Sequence, residues 1–205
     1  MAHQIRNPCA IILANANLVL KNQKLSSEAR QSLEAIVHGV RYLEARLDEF
    51  VEFSKPLLLK TKEVPVEQLC HDICDIVKDK CLLQKTKISY NVDVGLALPK
   101  ADQQQMLLAL LNIVINAIES IKIGGSINLT AKRFGDKILI IVQDTGCGIH
   151  PRDLPEIFSP FYSTKEGGIG IGLAVSRKII EAHGGSAEVS SHQDKGTYVT
   201  VSLPA

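Results

Sequence analysis

The feature that most constrains the fold is a change in hydrophobic pattern near Pro56. Before it, apolar residues recur at alternating steps of four and three in two stretches, separated by a polar break at 21–27. This repeat is typical of helices that each carry one narrow apolar seam. The seam residues are Ile5, Cys9, Ile12, Ala16 and Val19, then Leu33, Ile36, Val40, Leu43, Leu47 and Phe50. The pattern predicts a helical hairpin over 1–55, with Ser26 or Ser27 capping the second helix.

A hairpin of this kind is not a complete fold, because two helices packed side by side cannot enclose both seams. Two copies that associate as a four-helix bundle would bury them. The first 54 residues contain one proline and one glycine, which suits long helices. The N-terminal part therefore predicts a homodimer.

After a connector at 56–65, bracketed by Pro56 and Pro65, the pattern changes to alternating strands and helices. We predict helices at 66–84, 102–122 and 170–183, and strands at 86–94, 126–133, 137–143, 186–191 and 196–203. A long loop at 144–169 precedes the last helix. The second domain, 66–205, is predicted to be an α/β sandwich with helices on one face of a mostly antiparallel sheet, and the whole chain is of the α+β class.

Two glycine-rich turns lie in this second domain. Asp144 begins a turn directly after an apolar strand, and a glycine cluster at 167–172 opens the last helix. Glycines let backbone N–H groups approach a ligand, and a helix N-terminus favours a phosphate. The cluster by itself is a weak signal, because glycine is common in simple turns. A dinucleotide-binding turn is excluded, because the glycine spacing differs and no apolar strand precedes the cluster.

Two asparagines, Asn112 and Asn116, lie four residues apart on an otherwise apolar helix. Buried amides are costly unless they have hydrogen-bond partners, so this face is predicted to meet polar groups. A single buried asparagine is most often a structural hydrogen-bonding residue.

The segment from His3 to Pro8 begins the first helix. His3 precedes the first seam residue, Ile5, by two positions and is predicted to face outward, with Asn7 one turn later on the same face. Pro8 removes the N–H that would bond the carbonyl of Gln4, so the helix bends near His3. A neutral imidazole is nucleophilic and titrates near neutral pH.

In order and spacing, these motifs resemble those of sensor histidine kinases over essentially the whole chain. The segment from His3 resembles the H box of that family. The others resemble its N, G1, F and G2 boxes, which here are Asn112-x-x-x-Asn116, Asp144-x-Gly146-x-Gly148, Phe158-x-x-Phe161 and Gly168-x-Gly170-x-Gly172-Leu173.

The resemblance implies the Bergerat nucleotide-binding fold of gyrase-type and Hsp90-type ATPases, with ATP and Mg²⁺ as cofactors. It places Asp144 on the adenine amino group, supported by Thr197. It makes Asn116 the Mg²⁺ ligand and puts Asn112 close to the phosphates.

The same resemblance makes the loop 146–169 an ATP lid. Phe158 and Phe161 are expected to anchor the lid, and Lys165 is expected to reach the phosphates. Charge stabilisation by a lysine and by helix N–H groups suits a transferring phosphoryl group.

The H box resemblance makes His3 the phosphoacceptor. It gives Asn7 the position that orients water when the partner response regulator is dephosphorylated. Gln4 departs from the family pattern, which has Glu or Asp there to accept the imidazole proton. Glutamine cannot act as a base at neutral pH, so we expect slowed autophosphorylation.

The predicted function is an ATP-dependent protein-histidine kinase that autophosphorylates on His3 and passes the phosphoryl group to an aspartate of a response regulator receiver domain. A second possibility is a response-regulator phosphatase or weakened core, because of Gln4. A scaffold without ATP turnover would have no need of the asparagines and glycine boxes. An ATPase doing conformational work is disfavoured because Asn112 stands where such enzymes carry a glutamate.

Composition adds few constraints. A formal net charge of +1 gives no reason to expect nucleic acid or a membrane surface. There is no apolar run long enough to span a bilayer and no secretory signal, so a cytoplasmic location is expected, with any membrane segment outside this chain. Five cysteines without an export signal do not suggest disulfides. Cys70, Cys74 and Cys81 share a helix face with apolar residues and are interpreted as packing residues rather than metal ligands.

Overall fold

The computed structural model describes residues 2–21, 25–54, 56–165, 168 and 170–205, and within them all side chains except those of residues 2–5, 43 and 45–54. The chain folds as two compact units, Met1–Pro56 and Leu57–Ala205. No helix in the described ranges combines the length and the apolar character needed to cross a membrane.

The first unit is the expected helical hairpin, made of α1 (Ala2–Leu20) and α2 (Ser27–Ser54). Ser26 is the residue that caps α2, because its hydroxyl oxygen accepts a hydrogen bond from the Ala29 N–H at 3.2 Å. Such a bond satisfies one of the backbone donors left free at a helix start.

The hairpin buries only part of the predicted seam. Cys9, Ala16 and Val40 are almost completely buried, whereas Ile12 and Val19 remain 43% exposed and Ile36 remains 47% exposed. A stripe of aliphatic side chains is therefore left open along the hairpin, as expected if part of the seam packs against another copy.

The second unit is a five-stranded mixed sheet with three helices and a small two-stranded sheet. Its elements in chain order are β1 (Lys62–Pro65), α3 (Val66–Leu83), β2 (Lys87–Val92), β3 (Ala97–Ala101), α4 (Gln103–Ser120), β4 (Ser126–Phe134), β5 (Lys137–Asp144), α5 (Gly172–Ala182), β6 (Ser186–His192) and β7 (Gly196–Pro204). The large sheet has the order β2-β4-β5-β7-β6, and β1 pairs with β3. Only the β2–β4 pair is parallel in the large sheet.

The core of this unit lies between the large sheet and the three helices. Alternate residues of the central strands point into it, as the period of two requires. They are Ile127, Leu129 and Ala131 of β4, Ile138, Ile140 and Val142 of β5, and Val199, Val201 and Leu203 of β7. The helices contribute fully buried residues such as Leu69, Leu110 and Ile179. This packing orients α4, which carries the two asparagines.

The small sheet corrects the sequence interpretation of two segments. Residues 62–65 of the predicted connector form β1, and β3 was not predicted. The two strands pair antiparallel, with Val64 opposite Leu98, and both side chains are buried. Four- and five-residue strands that contain Pro65 and Pro99 have too little alternation to be recognised from the sequence.

The cysteines of α3 pack as predicted. Cys70 and Cys81 belong to the core, and Cys74 is half-buried. Burial raises the pKa of Cys70 to about 12, and burial also raises the pKa values of Cys74 and Cys81. Such thiols stay protonated near neutral pH, and a protonated thiol is a poor metal ligand.

Candidate functional site

Asp144 is the last residue of β5, and its side chain is 5% exposed. Its Oδ1 accepts a hydrogen bond from the Gly146 N–H at 2.7 Å and one from the Ser120 hydroxyl at 3.1 Å. A Cβ at Gly146 would lie 1.8 Å from Ser120 Oγ, so only glycine leaves room for this hydroxyl. One carboxylate oxygen is thus held by the turn and by the end of α4.

Burial and hydrogen bonding have opposite effects on the pKa of Asp144, and burial has the larger effect. Burial raises its pKa above the ordinary value, while bonds from Gly146, Ser120 and the Thr197 N–H act in the opposite direction. Thr197 is itself buried, and its Oγ1 lies 3.0 Å from Ser191 Oγ. Ser191 also accepts a bond from the Ile149 N–H at 2.9 Å, which ties β6 and β7 to the loop after Asp144. The buried carboxylate is therefore rigidly placed.

Asn112 and Asn116 occupy one face of α4, as predicted. The Asn112 amide donates to the Gly172 carbonyl at 3.2 Å, which links α4 to the start of α5. The Asn116 amide donates to the Asn112 carbonyl at 3.0 Å. Its Oδ1 accepts a hydrogen bond from a side chain of another segment.

That side chain is Lys165, whose Nζ lies 3.0 Å from Asn116 Oδ1 and 2.7 Å from Glu119 Oε2. Lys80 of α3 donates to the other carboxylate oxygen of Glu119 at 2.8 Å. Burial by itself would raise the pKa of Glu119, but the bonds from Lys165 and Lys80 outweigh it and lower that pKa. One amide oxygen and one ionised carboxylate together hold a single ammonium group.

The segment between β5 and α5 carries the other predicted lid residues. Gly170 has φ 70°, and a Cβ there would lie 2.1 Å from the Tyr162 carbonyl oxygen, so glycine is required. Phe158 is half-buried beneath the Arg177 guanidinium, 5.6 Å from its ring centroid. The Phe161 side chain is 56% exposed, and its N–H donates to the Gly170 carbonyl at 2.9 Å.

The remaining glycine-box residues take several positions. Gly168 N–H donates to the Lys165 carbonyl at 3.1 Å, and Gly148 adopts φ 69° in the turn after Asp144. A Cβ at Gly172 would make only ordinary contacts with Asn112, so this glycine is not required for space. Leu173 packs against the core.

The predicted phosphoacceptor lies in the first unit. The backbone of His3 and Gln4 belongs to α1, but their side chains are outside the described part of the structure. Asn7 is exposed on the same helix, one residue before Pro8.

Sequence reasoning missed Glu119 and Ser120. Both follow Asn116 by about one helical turn, at steps of three and four, which places them on or beside the face that carries the asparagines. Extending the polar face of α4 by one turn would have found them.

Family models match both parts of the chain. Residues 1–57 match the "His Kinase A (phospho-acceptor) domain", and residues 101–205 match the "Histidine kinase-, DNA gyrase B-, and HSP90-like ATPase". A similar curated protein is "Sensor histidine kinase ZraS" of Salmonella typhimurium, which is 32% identical over 205 residues. The alignment covers all of this chain and 44% of the length of that protein.

Two solved structures resemble both units. Full-length ShkA in complex with AMPPNP has a TM-score of 0.75 at 26% identity and covers 99% of this chain and 44% of its own. Histidine kinase ThkA in complex with the response regulator protein TrrA has a TM-score of 0.71 at 27% identity. This match covers 99% of the present chain and 59% of the ThkA chain.

The second unit, with its mixed sheet, its asparagine-bearing helix and its buried aspartate, is of the histidine kinase, gyrase B and Hsp90-like class. Joined to a phosphoacceptor hairpin, it defines a narrower group. The chain belongs to the sensor histidine kinases of two-component systems.

Proposed function

We propose that this chain is the catalytic core of a kinase that binds Mg-ATP and transfers the γ-phosphoryl group to His3. The phosphoryl group then passes to an aspartate on the receiver domain of a response regulator. The observation that carries the proposal is the buried Asp144 carboxylate, placed by Ser120 of the same helix that bears Asn112 and Asn116. Incubation with γ-labelled ATP tests it directly.

We assign residues 1–55 to dimerisation and phosphotransfer, 56–65 to a linker and 66–205 to ATP binding. The two family models support this assignment, since one ends at residue 57 and the other covers 101–205. The strand β1 within 62–65 adds that the linker's last residues pack with the ATP-binding part.

The buried carboxylate of Asp144 fits the adenine end of ATP. An ionised carboxylate is an acceptor only, and an exocyclic amine is a donor. A carboxylate has about four acceptor sites. Gly146 and Ser120 both donate to Oδ1, so the carboxylate can still accept a hydrogen bond from the adenine amine. Thr197 supports the same carboxylate through its N–H.

The opposite end of the site fits a divalent cation and phosphates. Asn116 Oδ1 already contacts a positive charge, that of Lys165, and Mg²⁺ prefers oxygen ligands. Asn116 would hold the cation, with Asn112 close to the phosphates, and the bound cation would neutralise phosphate charge. Lys165, in the proposed lid at 146–169, carries a charge that suits the phosphates.

The transfer step forms a bond between an imidazole nitrogen of His3 and the γ-phosphorus. The bond from that phosphorus to the bridging oxygen breaks, and ADP leaves with the electron pair. The ring must also lose a proton, which Gln4 cannot accept at neutral pH. Proton transfer to water would then be slow.

Gln4→Glu is expected to raise the autophosphorylation rate by at least about tenfold, because a positioned carboxylate supplies general-base catalysis. The rate is measured from the early time course of label incorporation at saturating Mg-ATP. Gln31→Glu, at an exposed position of α2, is the matched control and should leave the rate unchanged. An equal or lower rate for Gln4→Glu would remove the role assigned to the missing acid.

Ser120→Ala is expected to weaken ATP binding about three- to tenfold, because Asp144 Oδ1 loses one hydrogen bond. The pKa of Asp144 should rise further, so binding should be lost at a higher pH on acidification. Titrating a fluorescent ATP analogue between pH 4 and 8 tests both effects. Ser190→Ala, exposed on β6, is the control. An unchanged affinity and pH profile would make Ser120 a structural residue only.

We propose that the kinase acts as a homodimer in a reducing, cytoplasmic compartment. The open stripe of Ile12, Val19 and Ile36 supports association through the hairpin. The five cysteines are all free, which suits a reducing environment. The complex of ThkA with a response regulator protein supports a receiver domain as the partner.

A second candidate activity is dephosphorylation of the response regulator. The features that favour it are a glutamine at position 4, where an acidic residue would accept the imidazole proton, and an exposed Asn7 on α1. An amide can orient a water molecule without accepting a proton. Measuring both activities on one preparation separates the two functions.

A further inference from the structure

Asn116 and Glu119, near the end of α4, both contact the Lys165 ammonium, but the proposed function gives Glu119 no role. Glu119 lies one turn beyond Asn116, and both of its carboxylate oxygens are engaged, Oε2 by Lys165 and Oε1 by Lys80. The Lys165 ammonium therefore bridges Glu119 and Asn116 at 2.7 and 3.0 Å. Two oxygens from one helix face share a single cation.

These two oxygens have the chemistry of a ligand pair for a hard cation. A carboxylate oxygen and an amide oxygen can both serve as ligands of Mg²⁺. Asn116 has its amide nitrogen committed to the Asn112 carbonyl, so the amide's oxygen is the atom presented to the cation. Both oxygens belong to residues of α4, whereas Lys165 lies outside the helices and strands, so a movement of the lysine would not require the oxygens to move.

Resting on the proposed function, we propose that Glu119 is a second ligand of the nucleotide-bound Mg²⁺, directly or through water, and that Lys165 neutralises this position when no nucleotide is bound. With ATP bound, Lys165 would turn to the phosphates, and Mg²⁺ would take its place beside Glu119. If Mg²⁺ is absent, this exchange would leave the Glu119 carboxylate facing the phosphates with only Lys80 paired to it, and like charges at close range are unfavourable. Glu119 thereby makes nucleotide binding depend on the divalent ion.

Glu119→Gln tests this role because it keeps the shape and removes the charge. ATP affinity is measured by equilibrium titration of the purified chain, once with EDTA and once with saturating Mg²⁺. Binding in EDTA should tighten, because the repulsion is gone. The ratio of the two dissociation constants should fall by about tenfold or more, a typical effect of losing a metal-orienting group. Titrating Mn²⁺ against the protein–ATP complex should show a matching loss of metal affinity.

Two further variants make the result decisive. Glu188→Gln, exposed on β6, should keep the wild-type ratio. Lys165→Ala should weaken binding in EDTA but keep at least the wild-type dependence on Mg²⁺, because Glu119 remains. Thermal unfolding of each variant confirms that the domain stays folded.

The possible outcomes separate the two proposals. If the wild-type chain binds no ATP with or without Mg²⁺, the proposed function fails. If it binds ATP and Glu119→Gln keeps the wild-type ratio, Glu119 only holds the lysines and the inference is overturned. A loss of Mg²⁺ dependence in Lys165→Ala would overturn it too, by assigning the coupling to Lys165.

Discussion

The Asp144→Asn variant is expected to bind ATP about 100-fold more weakly than the parent chain. A hydrogen bond to a charged acceptor contributes roughly 1.5–3 kcal/mol, which corresponds to about 10- to 100-fold in affinity. The asparagine amide would also turn a donor toward the adenine amine, so that two donors meet without an acceptor. Isothermal titration with Mg-ATP measures the change.

Loss of binding must be distinguished from loss of folding. The raised pKa of Asp144 predicts how the substitution changes stability with pH, and measuring that stability separates the two effects. Because burial raises this pKa above 3.8, the folded state holds its proton more tightly than the unfolded state. The ionised form therefore destabilises the fold, an effect absent below about pH 3.8 and complete above the raised folded-state pKa. In the absence of nucleotide, the stability of Asp144→Asn relative to the parent should thus increase as the pH rises through this window. Thermal unfolding at several pH values measures it.

Asp136→Asn is the matched substitution, because Asp136 is exposed in the turn between β4 and β5. It should leave ATP affinity unchanged. Tight ATP binding by Asp144→Asn would remove Asp144 from the nucleotide site, and low stability of that variant at neutral pH would contradict the electrostatic argument.

His3→Ala is expected to abolish phosphorylation of the chain completely, because no other group is proposed to carry the phosphoryl group. The parent, incubated with γ-labelled ATP and Mg²⁺, should acquire label that is lost in acid and kept in alkali, as a phosphorus–nitrogen bond requires. ATP affinity of the variant should equal that of the parent, since the proposed nucleotide residues all lie in the second unit.

His38→Ala supplies the comparison, because His38 is an exposed histidine on α2. It should retain full labelling. Label on His3→Ala would identify another acceptor. No label on the parent, with ATP binding intact, would favour the phosphatase or a core disabled by Gln4.

Several elements were predictable because their signals are local. The strands predicted at 126–133 and 137–143 correspond to Ser126–Phe134 and Lys137–Asp144. Buried residues alternate with more exposed ones over 126–131 of the first strand and along the whole of the second, and a period of two is recognisable in the sequence. The cap at Ser26 was predictable for the same reason, since its bond spans three residues.

Other features depend on what lies opposite in space. β1 and β3 are too short to be recognised from the sequence. They form strands because they pair with each other, which places Val64 opposite Leu98, 34 residues further along the chain. Phe161 is a large aromatic residue, yet its side chain is 56% exposed. Burial is decided by which surface a side chain finds, and the residue type alone does not specify that surface.

The sequence by itself determined the helical seam, the alternating strands and the face of α4 that carries Asn112 and Asn116, because helix and strand periods place neighbours on a common face. Only the tertiary structure decided how the site is charged. Lys80 and Lys165 reach Glu119 from 39 and 46 residues away, and Ser120 reaches Asp144 across 24. Such contacts exist because packing of the helices on the sheet brings distant segments within hydrogen-bond range, and a local pattern carries no record of that distance.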